Sequence, residues 1–150
     1  MAHTYVSNLM HYVFSTKDRR KEISSELQER LWPFIGGIAR KNNAPALAIG
    51  GMPDHLHILL SVPATVPVSK AVQLIKGGSS KWIHETFPGY KHFEWQEGYG
   101  AFSISLSHKH ATIGYIQNQE KHHRTRSFEE EFLAILKKHG IAYDPKYVWG

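Results

Sequence analysis

The sequence predicts an α+β sandwich in which helices pack over one antiparallel sheet. The first observation is the order of patterns, which runs strand, helix, strand, strand, helix, strand, followed by further helical segments. The second is that residues 46–62 hold two strands separated only by a short turn, as in an antiparallel pair. The third is the length of 150 residues, which without linkers or repeats fits a single domain over residues 1–150.

The first third of the chain predicts a strand, a turn and a helix. Residues 5–15 form the predicted strand, and the polar, basic residues 16–21 form the turn after it. Ser25 and Gln28 match a capping box at the start of a helix, and Pro33 predicts a kink near its middle. The core side chains predicted for these elements are Tyr12, Val13, Phe14, Leu27, Leu31, Phe34, Ile35 and Ile38.

The middle of the chain contains a strand with two different faces, followed by a helix. Alternation places aliphatic residues on one face and two histidines on the other, so that Leu56, Ile58 and Leu60 oppose His55, His57 and Leu59. Ser69 predicts the cap of the next helix, and the small residues 77–80 predict close approach by another element. Its predicted buried side consists of Val72, Ile75, Trp82 and Ile83.

The last third predicts a strand or hairpin and two more helices. Residues 93–106 carry the strand pattern, and residues 112–123 form the third predicted helix. The fourth predicted helix covers residues 128–139, with an apolar face of Phe128, Phe132, Ile135 and Leu136.

Charge and composition restrict the class of partner. The formal net charge of +5 and the pI of about 9.4 favour a polyanion such as nucleic acid. The chain has no Cys, so a metal site must use histidine, carboxylate or amide ligands. Because the sequence lacks both a membrane-length apolar run and the pattern of a signal peptide, we expect a cytoplasmic protein without a membrane partner.

His55 and His57 form a candidate metal pair. Alternation puts both imidazoles on one strand face, where two ring nitrogens can share one ion. The alternative is a pair of hydrogen-bonded sheet histidines, since a chain with 11 His contains about one His-x-His by chance. A second such pair, His108 and His110, flanks a lysine at a predicted helix start and is interpreted as a solvated or phosphate-touching loop.

Tyr115 and Gln119 form a candidate nucleophile and ligand. Their spacing of four places them on one helix face, which His122 continues, while Ile113 and Ile116 can pack inward. A tyrosine can attack phosphorus when a cation polarises the phosphate, and a glutamine oxygen can complete a metal site. The alternative is a half-buried tyrosine beside a surface glutamine.

Basic and aromatic residues indicate contact with a nucleic acid. Basic side chains neutralise phosphates whatever the base sequence, and the candidates for DNA binding are Lys17, Arg19, Arg20, Lys76, Lys81, Lys121 and Arg124. Trp95, Tyr99 and Phe102 can stack on unpaired bases, although the core is the favoured location for Trp95 and Phe102.

Five segments in register resemble one known family. These are residues 12–17 with Arg19 and Arg20, residues 51–60 (GMPDHLHILL), 75–80 (IKGGSS), 95–103 (WQEGYGAFS) and 115–119 (YIQNQ). Together they are similar to the single-tyrosine HUH transposases of small bacterial insertion sequences, including relatives associated with repetitive extragenic palindromes. The resemblance extends over residues 12–123.

This resemblance implies a ferredoxin-like or RNA-recognition-like sandwich with an added helix that carries the nucleophile. It implies Mg or Mn bound at the positions of His55, His57 and Gln119, and attack by Tyr115 on a single-stranded DNA phosphate. The implied product is a 5′-phosphotyrosine with a free 3′-hydroxyl, and the reverse step rejoins the strand. The implied partners are single-stranded DNA with hairpins at the element ends and a second copy of the chain, in a homodimer whose sites are often shared between subunits.

Two alternatives stay open at this point. A host-adopted relative that processes palindromic repeats would use the same chemistry, so only the flanking DNA would separate it from a mobile transposase. A non-catalytic module of the same fold would bind single-stranded nucleic acid without cutting it.

Overall fold

The chain folds into four strands and five helices in a computed structural model that describes residues 3–123 and 125–149. Three short 3-10 turns lie at Lys17–Arg19, Pro88–Tyr90 and Leu106–His108. The main elements are β1 (Leu9–Ser15), α1 (Ser25–Lys41), β2 (Ala46–Met52), β3 (His55–Ser61), α2 (Val68–Thr86), β4 (Gly100–Ile104), α3 (Lys109–Gln117), α4 (Gln119–His122) and α5 (Phe128–Lys138).

The sheet confirms the predicted fold class. Its strand order is β2-β3-β1-β4, and every neighbouring pair is antiparallel. With α1 following β1 and α2 following β3, this is the ferredoxin-like βαββαβ arrangement. The two central strands are β1 and β3, and their register pairs Val13 with His57 and Ser15 with His55.

The face of the sheet toward α1 and α2 is an apolar core. It contains Tyr12, Phe14, Leu56, Ile58 and Leu60, all at most 1% exposed. Trp95 also lies in this core, as predicted, with its ring edge-on to Phe14 and its indole nitrogen donating to Ser79 Oγ at 3.0 Å. At Gly78 a Cβ would lie 2.9 Å from the Ile38 side chain, so the small residues of α2 do permit close packing against α1.

The opposite face is covered by α3, α4 and α5. Val13 and Phe102 pack against side chains of α5, and Phe102 is therefore core as predicted. Ile116 of α3 packs on Leu9, Ala48 and Leu59. The helices of the C-terminal third therefore close the sheet face on which the two β3 histidines lie.

Several predicted helix and strand boundaries are wrong. The cap of α1 is Ser24, whose Oγ accepts from Leu27 N at 3.1 Å, while the Gln28 side chain donates to Ile23 O. Ser69 lies inside α2, which begins after Pro67. The first strand starts at Leu9 rather than at residue 5.

The predicted third helix is two helices. It breaks at Asn118, whose backbone leaves the helical region (φ −108°, ψ 31°). Phe34, predicted to be core, is only half-buried, because it stacks on Trp82 at the outer surface of α1 and α2. Among the described residues, no helix has the combination of length and apolar character that crossing a membrane requires.

Candidate metal and nucleophile site

The site begins with the two histidines of β3, which point toward α5. Both imidazoles are completely buried. Asp54 Oδ1 lies 2.7 Å from His55 Nδ1, and His11 Nε2 lies 2.8 Å from His57 Nδ1. These contacts fix both rings with their Nε2 atoms directed at one centre, as outer contacts do in metal sites.

Glu131 of α5 supplies a carboxylate to this centre. Its Oε1 lies 2.9 Å from His57 Nε2 and 3.4 Å from His55 Nε2. One ligand atom from each of these three residues lies within 4.8 Å of the others, so the buried group could hold a metal ion. Gln119 Oε1 is 3.1 Å from His55 Nε2, and His123 Nε2 is 3.2 Å from both Gln119 Oε1 and Glu131 Oε1.

Tyr115 reaches the same carboxylate from α3. Its hydroxyl donates a hydrogen bond to Glu131 Oε2, and Arg126 Nη2 lies 3.3 Å from the same hydroxyl oxygen. The ring stacks on His122 with centroids 4.5 Å apart. Tyr115 therefore meets the histidines and Glu131 of the same chain at one site.

A glycine allows α3 to approach the sheet. A Cβ at Gly50 of β2 would lie 2.2 Å from the backbone oxygen of Ile116. No side chain fits in that space, so α3 lies directly on the β2 backbone. This contact sets how far Tyr115 stands from the β3 histidines.

The two sheet histidines have opposite electrostatic environments. Burial lowers the pKa of His57, and it lowers the pKa of its neighbour His11 to about 3. Burial also acts against the charged form of His55, but the hydrogen bonds with Asp54 and Glu131 outweigh it and raise the pKa of His55 to about 9.

The carboxylate and the phenol are strongly perturbed as well. Burial alone would raise the pKa of Glu131, but the contacts with His55 and His57 hold it well below its usual range. Burial and the adjacent Glu131 raise the pKa of Tyr115, and Arg126 acts in the opposite direction. Such opposed perturbations in one cluster are typical of functional sites.

Of the residues singled out in the sequence, His55, His57, Gln119 and Tyr115 come together in space. Their chemical roles are still predictions at this point. The sequence did not point to Glu131, His11 and Asp54, and it placed His123 and Arg126 only in a basic cluster; these five residues complete the site. One signal was available, because Ser127 and Glu130 form a capping box that fixes the start of α5 and the direction of Glu131.

The predicted DNA-binding residues have different environments. Lys17, Arg20, Lys81 and Lys121 are exposed, although Lys17 pairs with Glu94 and Arg20 with Asp18. Arg19 pairs with Glu129 at 3.2 Å and lies over the Trp149 ring. Arg124 lies outside the described residues.

Lys76 was predicted to bind DNA, but its ammonium group is already hydrogen-bonded within the protein. Its ammonium group donates to the backbone oxygens of Gln96, Glu97 and Gly98. All three N–H donors of the ammonium group therefore bond to the loop that precedes β4. His108 and His110 are exposed, as expected, but only His108 lies in a turn, where it bonds Ser105, whereas His110 lies in the first turn of α3.

Solved structures with a similar fold include two transposase-related chains. A crystal structure of a candidate transposase from Deinococcus radiodurans superposes with a TM-score of 0.64 at 28% identity, covering 79% of this chain and 96% of that one. A REP-associated tyrosine transposase bound to a REP hairpin superposes with a TM-score of 0.56, covering 77% and 68%. The second shares only 18% of its residues and therefore supports the fold alone.

Sequence comparison identifies the family. The family described as "Transposase IS200 like" matches residues 4–119, and the chain belongs to it. The ISDra2 transposase TnpA of Deinococcus radiodurans is 25% identical over 114 residues, which cover 73% of this chain and 81% of that protein. The transposase for insertion sequence element IS200 of Salmonella typhimurium is 30% identical over 91 residues, which cover 61% and 60%.

Proposed function

We propose that the chain cleaves and rejoins single-stranded DNA at the ends of an insertion sequence, with Tyr115 as the nucleophile. One observation carries the proposal: the hydroxyl of Tyr115 and the buried pair His55 and His57 contact the same carboxylate, Glu131. A nucleophile and a candidate metal cluster thus share one site. This combination can support attack of a tyrosine on phosphorus, because a bound cation polarises the phosphate beside the nucleophile.

The donor set can hold a divalent metal, and we propose Mn or Mg because the family resemblance implies these ions. His55, His57, Gln119 and Glu131 would hold it through two imidazole nitrogens and two oxygens, and no thiolate competes in a chain without Cys. Bound there, the ion would supply Lewis-acid polarisation of the scissile phosphate. Asp54 and His11 keep the two imidazoles oriented with Nε2 toward the centre.

The protein itself supplies the nucleophile for the cleavage step. Tyr115 Oη attacks the phosphorus, the bond to the 3′-oxygen breaks, and a 5′-phosphotyrosine forms. Attack by the 3′-hydroxyl on that linkage reverses the step and rejoins the strand. The partial burial of Tyr115 restricts access of water to the linkage, which favours rejoining over hydrolysis.

The partners we propose are hairpin-bearing single-stranded DNA and a second copy of the chain in the cytoplasm. The exposed cations Lys17, Arg20, Lys81 and Lys121 would contact phosphates. We choose hairpin DNA as the probe because a REP-associated tyrosine transposase of similar fold is bound to a REP hairpin.

A covalent-adduct assay tests the proposal. Single-stranded hairpin DNA from both flanks of the gene is incubated with Mn, and a denaturing gel then detects a protein–DNA adduct. We expect an adduct with the natural chain and with the matched control Tyr99→Phe, but none with Tyr115→Phe, which loses only one hydroxyl. An adduct with Tyr115→Phe would refute the nucleophile, and hairpin binding without any adduct would indicate a non-catalytic module.

A mixed-dimer assay tests where each site is assembled. Differently tagged Tyr115→Phe and His57→Ala chains are co-expressed and purified as mixed dimers. If each site forms within one chain, both sites of the mixed dimer carry a lesion and no adduct forms. An adduct from the mixed dimer would instead show that the subunits exchange α3.

A further inference from the structure

Arg126, which belongs to a basic stretch of the sequence at residues 121–126, contacts the nucleophile. Its Nη2 lies 3.3 Å from Tyr115 Oη, on a hydroxyl that also donates to Glu131. Its backbone oxygen separately accepts from His123 Nδ1 at 2.9 Å. The side chain therefore contacts the attacking atom, and the main chain orients a histidine at the metal cluster.

A cavity opens beside this guanidinium. It has a volume of about 500 Å³ and is lined by Arg19, Asp54, His123, Arg126, Phe128 and Glu129. Its size falls in the range of ligand sites. Two of its lining residues, His123 and Asp54, also contact residues of the metal cluster, so the cavity lies beside the cluster.

The two arginines of this cavity differ in their partners. Arg19 is paired with Glu129 at 3.2 Å and stacks on Trp149. Within residues 3–123 and 125–149, no carboxylate lies in ion-pair distance of Arg126. Lys21 also lines the cavity, but Arg126 is the lining cation that contacts the hydroxyl of Tyr115, so it can receive an anion next to the nucleophile.

We propose that Arg126 is a further catalytic residue that binds a non-bridging oxygen of the scissile phosphate while Tyr115 attacks. This inference rests on the proposed cleavage chemistry. The Tyr115 Oη–P bond forms and the P–O3′ bond breaks. The phenol proton leaves to solvent, and the departing 3′-oxygen takes a proton from solvent.

Arg126 exchanges no proton in this step. A guanidinium stays charged and presents forked donors that match two phosphate oxygens. Negative charge on the non-bridging oxygens must be stabilised as the tyrosine attacks, and a prepositioned donor does this without reorganisation. Its 3.3 Å contact with the tyrosine oxygen places it beside the phosphate that this oxygen attacks.

Side-chain variants isolate this role, because the contact with His123 comes from the backbone. Arg126→Ala, Arg126→Lys and the control Arg40→Ala, at the exposed end of α1, are compared in single-turnover adduct formation with Mn and saturating DNA. We expect Arg126→Ala to slow adduct formation about 100-fold, as loss of one charge-stabilising donor does. Arg126→Lys should retain part of the rate, and hairpin affinity should stay within about 2-fold for all variants.

A neutral scissile group distinguishes catalysis from a structural role. With a methylphosphonate at the cleavage position there is no charged oxygen for Arg126 to neutralise, so Arg126→Ala and the natural chain should react at similar rates. An equal deficit on both substrates, an undiminished rate of Arg126→Ala on phosphate, or a loss explained by hairpin affinity would each overturn the proposal. If the natural chain and Arg40→Ala bind the hairpin but form no adduct, the proposed cleavage activity is wrong. The catalytic role of Arg126, which depends on that activity, is then wrong as well.

Discussion

The two faces of β3 differ in chemistry although they are equally buried. Leu56, Ile58 and Leu60 point into the apolar core under α1 and α2. His55 and His57, one residue out of phase, point toward α3 and α5, where each ring nitrogen has a polar neighbour. A buried polar group is costly unless it is paired, so the second face requires a set of partners that the first does not.

This difference shows how one short strand serves both stability and chemistry. The apolar face needs only volume and shape, and neighbouring hydrophobic residues can adjust to small changes. The histidine face depends on named atoms at hydrogen-bond distance, and among the described residues no buried side-chain polar atom lacks a partner. Changes on the two faces should therefore affect different measurements.

The largest expected effect is the loss of metal-dependent chemistry on the histidine face. His57→Ala removes one of two imidazoles from the cluster, and we expect adduct formation to fall at least about 1,000-fold, as loss of an essential catalytic group does. Mn at about 100 times its Kd should stabilise the natural chain by about 2.7 kcal/mol, and this gain should be absent in His57→Ala. Thermal unfolding with and without Mn measures it. If Mn raised the unfolding temperature of the natural chain and of His57→Ala equally, His57 would not be a ligand of the metal.

A smaller effect is expected from separating α3 from the sheet. In Gly50→Ala the new Cβ would overlap the Ile116 backbone oxygen, so α3 must shift while the β3 histidines stay in place. A displacement of about 1 Å is enough to slow a positioned reaction about 100-fold. We expect slow adduct formation with nearly unchanged Mn binding.

Gly37→Ala is the control for this variant. Gly37 lies in α1, and a methyl group there would meet no atom within 4 Å, so alanine should stabilise the helix by about 0.5–1 kcal/mol. Normal adduct formation by Gly50→Ala would show that the close contact of α3 with β2 does not position Tyr115.

The apolar face should respond in stability rather than in chemistry. Ile58→Ala leaves a cavity at a completely buried position, and we expect a loss of about 2–5 kcal/mol in the free energy of unfolding. Denaturant titration measures this loss. Mn should still stabilise Ile58→Ala as much as it stabilises the natural chain. Loss of this Mn-induced stabilisation would show that the apolar face also determines metal binding.

The smallest effects are expected at the exposed cations. Lys81→Ala should weaken hairpin binding a few-fold and reduce the slope of log Kd against log salt by about 1, because one fewer counterion is released. Lys41→Ala, at the C-terminal end of α1, is the control. Equal slopes for the natural chain and Lys81→Ala would place Lys81 outside the phosphate footprint.

Local patterns predicted the fold and the histidine face, because alternation along a strand and stripes along a helix are short-range properties. The pairing of His55 with His57 follows from strand alternation alone. Tyr115 and Gln119 reach the same site although the helix predicted to carry both breaks between them at Asn118. Glu131 reaches the site only because the chain turns at residues 125–127 and α5 packs on Phe102, a long-range contact with no local signature. The break at Asn118 and the cap at Ser24 depend on backbone geometry that several nearby residues could have adopted.

Lys76 illustrates the limit of counting charges. The backbone oxygens of Gln96, Glu97 and Gly98 surround its ammonium group as carbonyl oxygens surround a bound potassium ion. Within the same loop, the Gln96 side chain accepts from the backbone nitrogen of Ser15 at the end of β1. The lysine therefore acts as a tethered cation that holds α2, the end of β1 and the approach to β4 as one rigid unit.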